Sequence, residues 1–493
     1  MKKAHLKHYY GDLHTHTGFS DGRGTPKEAF EEAKRSKMGD FLAISDHEGS
    51  VTNEKWQETL RAAHDITDET FVGIASYESG YSEEYIDEDG VPVVNGGELN
   101  VLGTDYLLVE AGYPTVFHDF HSKLASYEGA IAFYNHPQEA SWPTDKIWNA
   151  YNDFEHYNEE TDSRIVGVET SNETSAYNQI HELVYTTALD KGWHFAPFAT
   201  SDTHHGKWLS GFDNRTVVLA PSLTRENIIE AFKARRVYAV EDRHFQVEFW
   251  INDQMMGSIL DPTEDTYHIQ IEVLHKSPEE GLPFERVELI SDGGEVVAVY
   301  EEKSFHINWE LTLKSKEARY FFIRVVSEGG KRAWTAPIWT GRKPVEEKLY
   351  TKGTRIPFEQ MNIAYVSSEQ EEKRAIEILN ADTTTYWESK CTNGEIIIDL
   401  GESKRIVGIG YRKNYIGYED RVALAKLMDH YEYAVCESLE GEEIVVARGR
   451  VRNYGREHYR GFEGVEGRFV KIRAIDAVEK GTVAIGNIYI YEG

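Results

Sequence analysis

The stretch Phe41-Leu42-Ala43-Ile44-Ser45-Asp46-His47 is four apolar residues followed by three polar ones, the last a histidine. The apolar four read as a short buried strand, so Asp46 and His47 stand at its C-terminal end. The pattern returns in Phe71-Val72-Gly73-Ile74 before Tyr77-Glu78, and in Ala130-Ile131-Ala132-Phe133 before Asn135-His136-Pro137. It returns again in Ile165-Val166-Gly167-Val168 before Glu169, and in Ala196-Pro197-Phe198-Ala199 before Ser201-Asp202-Thr203-His204. Helical patterns lie between these runs. Thr25-Pro26-Lys27-Glu28 predicts a capped helix start that turns Phe30 and Ala33 inward, and another helix is expected from Asn178 to Lys191. Strands alternating with helices predict a parallel α/β sheet or barrel.

Near the N-terminus, Asp12-Leu13-His14-Thr15-His16 is followed by Asp21. Two histidines two apart on an extended segment point to the same side. With 20 histidines in 493 residues, about one such pair arises by chance, so the pair means little alone. Its weight comes from company, because every group puts a histidine or carboxylate where barrels of this kind gather their active residues. Imidazole with carboxylate suits Zn²⁺, Mn²⁺ or Fe²⁺.

Composition narrows the classes. The length suggests about three domains. Lys and Arg total 53 against 84 Asp and Glu, a formal charge of −31, which argues against sequence-independent nucleic-acid binding. There is no apolar run of transmembrane length. The first ten residues carry basic groups without an apolar core behind them. As the sequence stands this predicts a cytoplasmic protein, or a secreted one if a leader was trimmed. Only Cys391 and Cys436 occur, which excludes a disulfide scaffold or a cysteine-rich zinc module; whether they pair is open.

Texture divides the chain at residues 1–242, 243–342, 343–360 and 361–493. The second region, with Gln246-Val247-Glu248-Phe249-Trp250 and Tyr320 to Val326, predicts a small β-sandwich. The charged third stretch reads as a linker. The last region is strand-rich, with Glu395 to Leu400 and Arg468 to Arg473.

Taken in order, His14-Thr15-His16 with Asp21, Ser45-Asp46-His47, Glu78, Asn135-His136-Pro137 and Ser201-Asp202-Thr203-His204 resemble the polymerase-and-histidinol-phosphatase (PHP) metallohydrolases, over residues 8–242. Asn214-Arg215-Thr216, Asn227 to Phe232, Arg236 to Ala239, Asn252 and Met256-Gly257 resemble the carbaryl-hydrolase-like CehA/McbA branch of that family. The resemblance implies a distorted (β/α)7 PHP barrel with two or three divalent ions, so the expected fold is multidomain α/β plus all-β. It implies one metal on His14, His16, Glu78 and Asp202, a second on Asp21, His47 and His204, and a third reached by Glu78 and His136. The chain departs from the branch at Glu98, in Gly97-Glu98-Leu99-Asn100-Val101-Leu102, where a histidine is usual. A carboxylate there still ligates, and it favours a harder ion. Glu98 also reads as an ion-pair partner or a solvated side chain.

The implied activity is a metal-dependent hydrolase: a phosphoesterase using a metal-bridging hydroxide, acting on a small-molecule or glycan-linked ester. The alternatives are a carboxylic or carbamic ester or amide hydrolase on the same metals, and an inactive glycan- or surface-binding protein. Asp46 is expected to orient a ligand ring. His205, His118 and His121 are alternative candidates for the proton donor to the leaving group. Arg215 and Lys207 are candidate contacts for an anionic group. Glu169 reads either as a support for a ligand or as part of the substrate pocket. The acidic run Glu83-Glu84 to Asp87-Glu88-Asp89 reads as a solvated loop or a lid.

Ala381-Asp382-Thr383-Thr384-Thr385-Tyr386-Trp387, Glu395 to Gly401, Tyr431 to Val435 and Phe469 to Arg473 resemble a discoidin-type β-sandwich. That resemblance implies a glycan or surface ligand, with Ca²⁺ held near Asp382, though fold does not fix function.

Overall fold

The computed structural model describes residues 6–86, 90, 92–108, 117–127, 129–137, 147–154, 157–172, 178–343, 350–382, 384–412, 426–451, 458–477 and 481–493. The chain is mostly β, in several sheets. It forms two compact units: Met1–Glu83, Gly96–Pro137 and Phe154–Pro344 in one, Glu84–Asn95, Gln138–Asp153 and Val345–Gly493 in the other. Among the described residues no helix is long and apolar enough to cross a membrane.

In the first unit, β1 (Lys7–Asp12) lies parallel to β2 (Phe41–Ile44), with Gly11 opposite Phe41. Gly11 is required there, because a Cβ would sit 2.2 Å from the Phe41 ring. Between them runs α1 (Pro26–Ser36), opened by the expected capping box: Glu28 N donates to Thr25 Oγ1, and Thr25 N to Glu28 Oε2 at 2.8 Å. It buries Ala29, Phe30 and Ala33. β2 pairs in parallel with β3 (Val72–Ile86), which continues well past the expected Phe71–Ile74 core. Its neighbour β4 (Pro92–Leu102) accounts for the extra length. Glu83 and Glu84 therefore lie in a strand, and residues 87–89 of the acidic run lie outside the described residues.

β4 pairs antiparallel with β5 (Ile131–Tyr134). Parallel strands Ile165–Asn172 and Ala196–Thr200 follow. On its other side β1 meets Arg215–Ala220 antiparallel, and that strand meets Val237–Val240. The sheet curls back on itself where the Thr216 hydroxyl accepts from Ala199 N at 3.0 Å and donates to Ala199 O at 2.9 Å. Phe41, Phe133, Phe198 and Val217 fill the space inside the curl. Phe133 and Phe198 stack at 4.4 Å, and Gly167 leaves room for the Phe198 ring.

The sequence reading separates residues 1–242 from 243–342, yet the sheet runs through both. Val237–Val240 pairs with Arg332–Thr335, which leads to Tyr320–Ser327 and Phe284–Ser291. A four-stranded sheet built on Phe245–Ile251, Thr266–His275 and His306–Lys314 shares that core through Tyr267, Ile269, Ile271 and Val273.

The second unit centres on long antiparallel strands Gly394–Arg412 and His458–Ala474. Trp387, Ile396, Ile398, Val470 and Ile472 form its core. The stretch read as a linker is tied down at its end: Thr354–Arg355 pairs with Asn487–Glu492, and Ile356 is buried. Cys391 is exposed, Cys436 is buried, and both are free thiols.

Arg215 departs from its expected role as a contact for an anionic substrate. Its side chain is wholly buried. The guanidinium donates to the carbonyls of Met38 (3.0 Å), Phe212 (2.8 Å), Asn214 (2.6 Å) and Leu209. It ties the loop before Arg215–Ala220 to the end of the α1 turn, even though burial pulls its pKa down to about 10. Arg215→Met should cost about 3–5 kcal/mol of folding free energy by leaving buried carbonyls and Asp12 uncompensated. Urea unfolding would measure it, and a change within about 0.5 kcal/mol would refute the assignment.

Candidate functional site

The loops at the C-terminal ends of the strands are held open and extended by their own small residues. Past β1, Thr15 Oγ1 donates to Ala43 O at 2.7 Å, Ser45 N to Thr15 O at 2.8 Å, and His16 N to Thr203 O at 3.0 Å. This clamps residues 14–16 between two neighbouring loops and turns both histidines to one side. His47 and Glu78 sit opposite each other as a parallel bridge past β2. His136 and Asp202 turn in with positive φ, 21° and 47°.

The structure gathers all nine predicted ligand residues. His14 Nε2 lies 3.1 Å from Asp202 Oδ1 and 3.2 Å from Glu78 Oε1. His16 Nε2 lies 3.0 Å from Asp202 Oδ1 and 3.4 Å from Glu78 Oε2. His47 Nδ1 is 3.0 Å from Glu78 Oε2, and His136 Nε2 is 3.2 Å from Glu78 Oε1. Asp21 reaches His204 Nε2 at 3.3 Å and His47 Nε2 at 3.6 Å. Glu98 lies 3.5 Å from His136 and 3.9 Å from His47. Four overlapping groups result: His16, Asp21, His47 and His204; His14, His16 and Glu78; His14, His136 and Asp202; His47, Glu78 and Glu98. Within each, one ligand atom per residue lies within 4.8 Å of the others.

The donor set fits divalent cations. Glu78 is 1% exposed, and its Oε2 has no hydrogen-bond partner, nor do Asp202 Oδ1 and His47 Nδ1. Such atoms are costly to bury unless something positive meets them. His14 Nδ1 donates to Glu169 Oε1 at 2.9 Å, because a carboxylate only accepts. In the neutral ring this leaves the Nε2 lone pair aimed into the cluster. Without a cation the groups hold one another ionised. Burial opposes charge on His14, but Asp202, Glu78 and Glu169 outweigh it and hold its pKa well above the usual value. Burial likewise opposes charge on His16, and the nearby carboxylates of Asp202 and Glu78 push it up to about 9. Burial works against ionised Glu78 too, yet the imidazoles led by His14 hold it well below the usual range. Glu98 is pushed up to about 7 by burial and by the charge on Glu78.

The remaining residues sort themselves by contact. Glu169 is a support: besides His14 it accepts from His136 N at 2.5 Å, Thr200 Oγ1 at 2.7 Å and Asn172 Nδ2 at 2.8 Å. Asp46, expected to orient a ligand ring, does so at one remove. It accepts from Thr17 N (2.7 Å), Thr17 Oγ1 (2.6 Å), Ser20 N (3.2 Å) and Ser20 Oγ (2.6 Å), and Ser20 Oγ lies 3.3 Å from His16 Nδ1. It is a positioning residue rather than a catalytic one. His205 belongs to none of the gathered groups; it is exposed and lines a separate pocket of about 410 Å³ with Arg23, Arg35 and Trp208. Lys207 is exposed, His121 Nε2 lies 3.2 Å from Tyr134 OH, and the His118 side chain lies outside the described residues. Two residues whose role the sequence did not reveal are Asn135 and Asn100. Asn135 Nδ2 donates to Glu78 Oε1 at 2.6 Å and to Asn100 Oδ1 at 3.1 Å, and Asn100 Nδ2 donates to Leu13 O at 3.0 Å. Their signal was position alone, inside the quoted Asn135-His136-Pro137 and Gly97–Leu102 stretches.

In the second unit, Asp382 is exposed and caps its own turn, accepting from Thr384 N at 2.8 Å and Thr384 Oγ1 at 2.6 Å. Among the described residues it joins no ligand group; the group there is Asp429, His430 and Asp476. Arg450 already engages both Asp429 oxygens, at 2.6 and 3.0 Å.

No protein-family model matches the chain, and no curated protein matches it. Among solved structures, the chain is similar to the family 32 carbohydrate-binding module of C. perfringens NanJ in complex with galactose, at 21% identity and a TM-score of 0.25, over 28% of this chain and 98% of that one. It is similar to a family 32 module of a Clostridium perfringens GH89 protein in complex with GalNAc-β-1,3-galactose, at 18% identity and a TM-score of 0.25, over 28% and 99%. It is also similar to the C-terminal domain of a Bacteroides fragilis chitobiase, at 14% identity and a TM-score of 0.25, over 28% and 98%. Neither the family models nor these structures carry the PHP resemblance, which rests on the motifs.

Asp46→Ala should cost about 2–4 kcal/mol, since it orphans donors on Thr17 and Ser20 at a buried site. Chemical unfolding of the metal-free protein would read this, and an unchanged midpoint would refute the role of Asp46 as the staple of that loop.

Proposed function

We propose that the first unit is a metal-dependent hydrolase acting on a phosphoester, and that residues 361–493 bind a glycan. The observation that carries the first part is the convergence of nine imidazole and carboxylate side chains, drawn from six separate segments, on one spot. His14, His16, Glu78 and Asp202 would hold one ion, Asp21, His47 and His204 a second, and His136 and Glu98 with Glu78 a third. Bound there, divalent ions supply Lewis-acid polarisation of the scissile bond and strengthen water as a nucleophile.

The chain's own residues do the rest. Glu169 fixes the His14 ring, Asn135 fixes Glu78, and the Asp46–Ser20 relay steadies His16. His14, His16 and Glu78 form the floor of the site, while Asp21 (59% exposed), His204 (30%) and His47 (23%) form its open side. Substrate therefore approaches past Asp21 and His204. Four carboxylates around the site repel an anion, so a phosphoester should bind only once cations are in place.

A second reading, a carboxylic or carbamic ester or amide substrate, uses the same residues. A third, glycan binding without turnover, starts from the discoidin-like motifs. Galactose and GalNAc-β-1,3-galactose, present in the complexes named above, are the first ligands to try.

Elemental analysis of the purified protein should find two or more equivalents of divalent metal. Turnover of p-nitrophenyl phosphate or bis(p-nitrophenyl) phosphate should exceed that of p-nitrophenyl acetate and fall to background in His47→Ala. Acetate turnover alone would move the substrate to the carboxylic-ester class. Absence of metal after reconstitution with Mn²⁺ or Zn²⁺, with sugar binding on a glycan array, would replace the hydrolase reading by the binding one.

A further inference from the structure

We infer that the centre is built for two kinds of ion, with Glu98 creating one hard-cation position beside nitrogen-rich positions of borderline character; this rests on the metal reading above. The ligand groups differ in their donors. His16, Asp21, His47 and His204 offer three imidazoles and one carboxylate. His14, His16 and Glu78, and likewise His14, His136 and Asp202, offer two imidazoles and one carboxylate. Among the described groups of this centre, that of His47, Glu78 and Glu98 reverses the ratio, with one imidazole and two carboxylates, and taking His136, the third ion's imidazole in the assignment above, in place of His47 keeps the same ratio.

Geometry places Glu98 at that position with both oxygens in use. Its Oε1 faces His47 Nδ1 at 3.9 Å and its Oε2 faces His136 Nε2 at 3.5 Å, so it spans the gap between them. A separate observation points to a cation there. Glu78 Oε2, on a side chain 1% exposed, has no hydrogen-bond partner and lies 3.0 Å from His47 Nδ1.

Charge reinforces the donor argument. Asp21, Glu78, Glu98 and Asp202 carry four negative charges, so two divalent ions neutralise the cluster and a third leaves it positive. A histidine at position 98 would raise that surplus by one charge, whereas Glu98 lowers it. Imidazole-rich positions favour Zn²⁺ or Fe²⁺, and carboxylate-rich ones narrow their advantage over Mn²⁺. Where Zn²⁺ or Fe²⁺ is limiting, a mixed centre follows: the borderline ions fill the histidine-rich positions first, and the position of Glu78 and Glu98 is left to Mn²⁺.

The test loads metal-free full-length protein with two equivalents of Zn²⁺, titrates Mn²⁺, and reads bound Mn²⁺ by electron paramagnetic resonance and total metal by elemental analysis. Wild type should hold one Mn²⁺ beside two Zn²⁺. Glu98→His should weaken Mn²⁺ by about tenfold or more and take a third Zn²⁺ instead. Glu98→Gln, nearly the same shape without the charge, should weaken Mn²⁺ without gaining Zn²⁺, and thermal unfolding checks that each variant is folded. Two bound Zn²⁺ with no Mn²⁺, or Mn²⁺ affinity unchanged in Glu98→His, would overturn this inference and leave the metal reading standing. Failure of wild type to hold either ion would overturn both.

Discussion

A carboxylate removed from water, Glu78, is the constraint around which the first unit is arranged. Nitrogens of His14, His16, His47 and His136 all lie within 3.4 Å of its oxygens, and Asn135 donates to it as well. Burying such a charge without compensation costs several kcal/mol, and the imidazoles compensate only if they carry protons. The cluster is thus a set of ion pairs under desolvation, and the divalent cation proposed for it would let the rings become neutral ligands.

The fold meets that cost by tying described segments around the cluster to one another. Thr15, Ser45 and Thr216 bind backbone across neighbouring segments, so the loops carry few free conformations. Arg215, wholly buried, satisfies carbonyls that the turn would otherwise bury unpaired. Two residues of the cluster, His136 and Asp202, adopt left-handed backbone that a non-glycine residue enters at a cost. Strain of this kind persists where surroundings dictate it, and at His136 Glu169 helps to hold it by accepting from the His136 amide and the His14 ring together.

The polar cluster lies wholly in the first unit, whereas the core residues of the second are apolar and many of its acidic and basic groups pair with one another. The quartet Glu395, Glu432, Glu443 and Arg473 illustrates this, with the guanidinium shared among three carboxylates. These are features of a stable module.

Much of the His, Asp and Glu cluster was legible in the sequence because it depends on local pattern. A short apolar run followed by His, Asp or Glu announces a strand and the residue near its end, and the order of five such runs made coincidence implausible. The capped helix at Thr25 was legible for the same reason, since a capping box spans four residues. What tertiary structure alone decided is contact between distant segments. Arg215 meets Met38 across 177 residues, which makes it a strut of the fold and not a substrate contact. Asp46 turns to Thr17 and Ser20, His205 turns outward, and Asn100 reaches Leu13, none of which spacing encodes. The sheet likewise crosses residue 242 because Val237–Val240 finds its partner at Arg332–Thr335. Sequence determined which groups stand at the strand ends, because strand period is local. The closing of the sheet decided which of them face one another, because that depends on which distant apolar surfaces pack together.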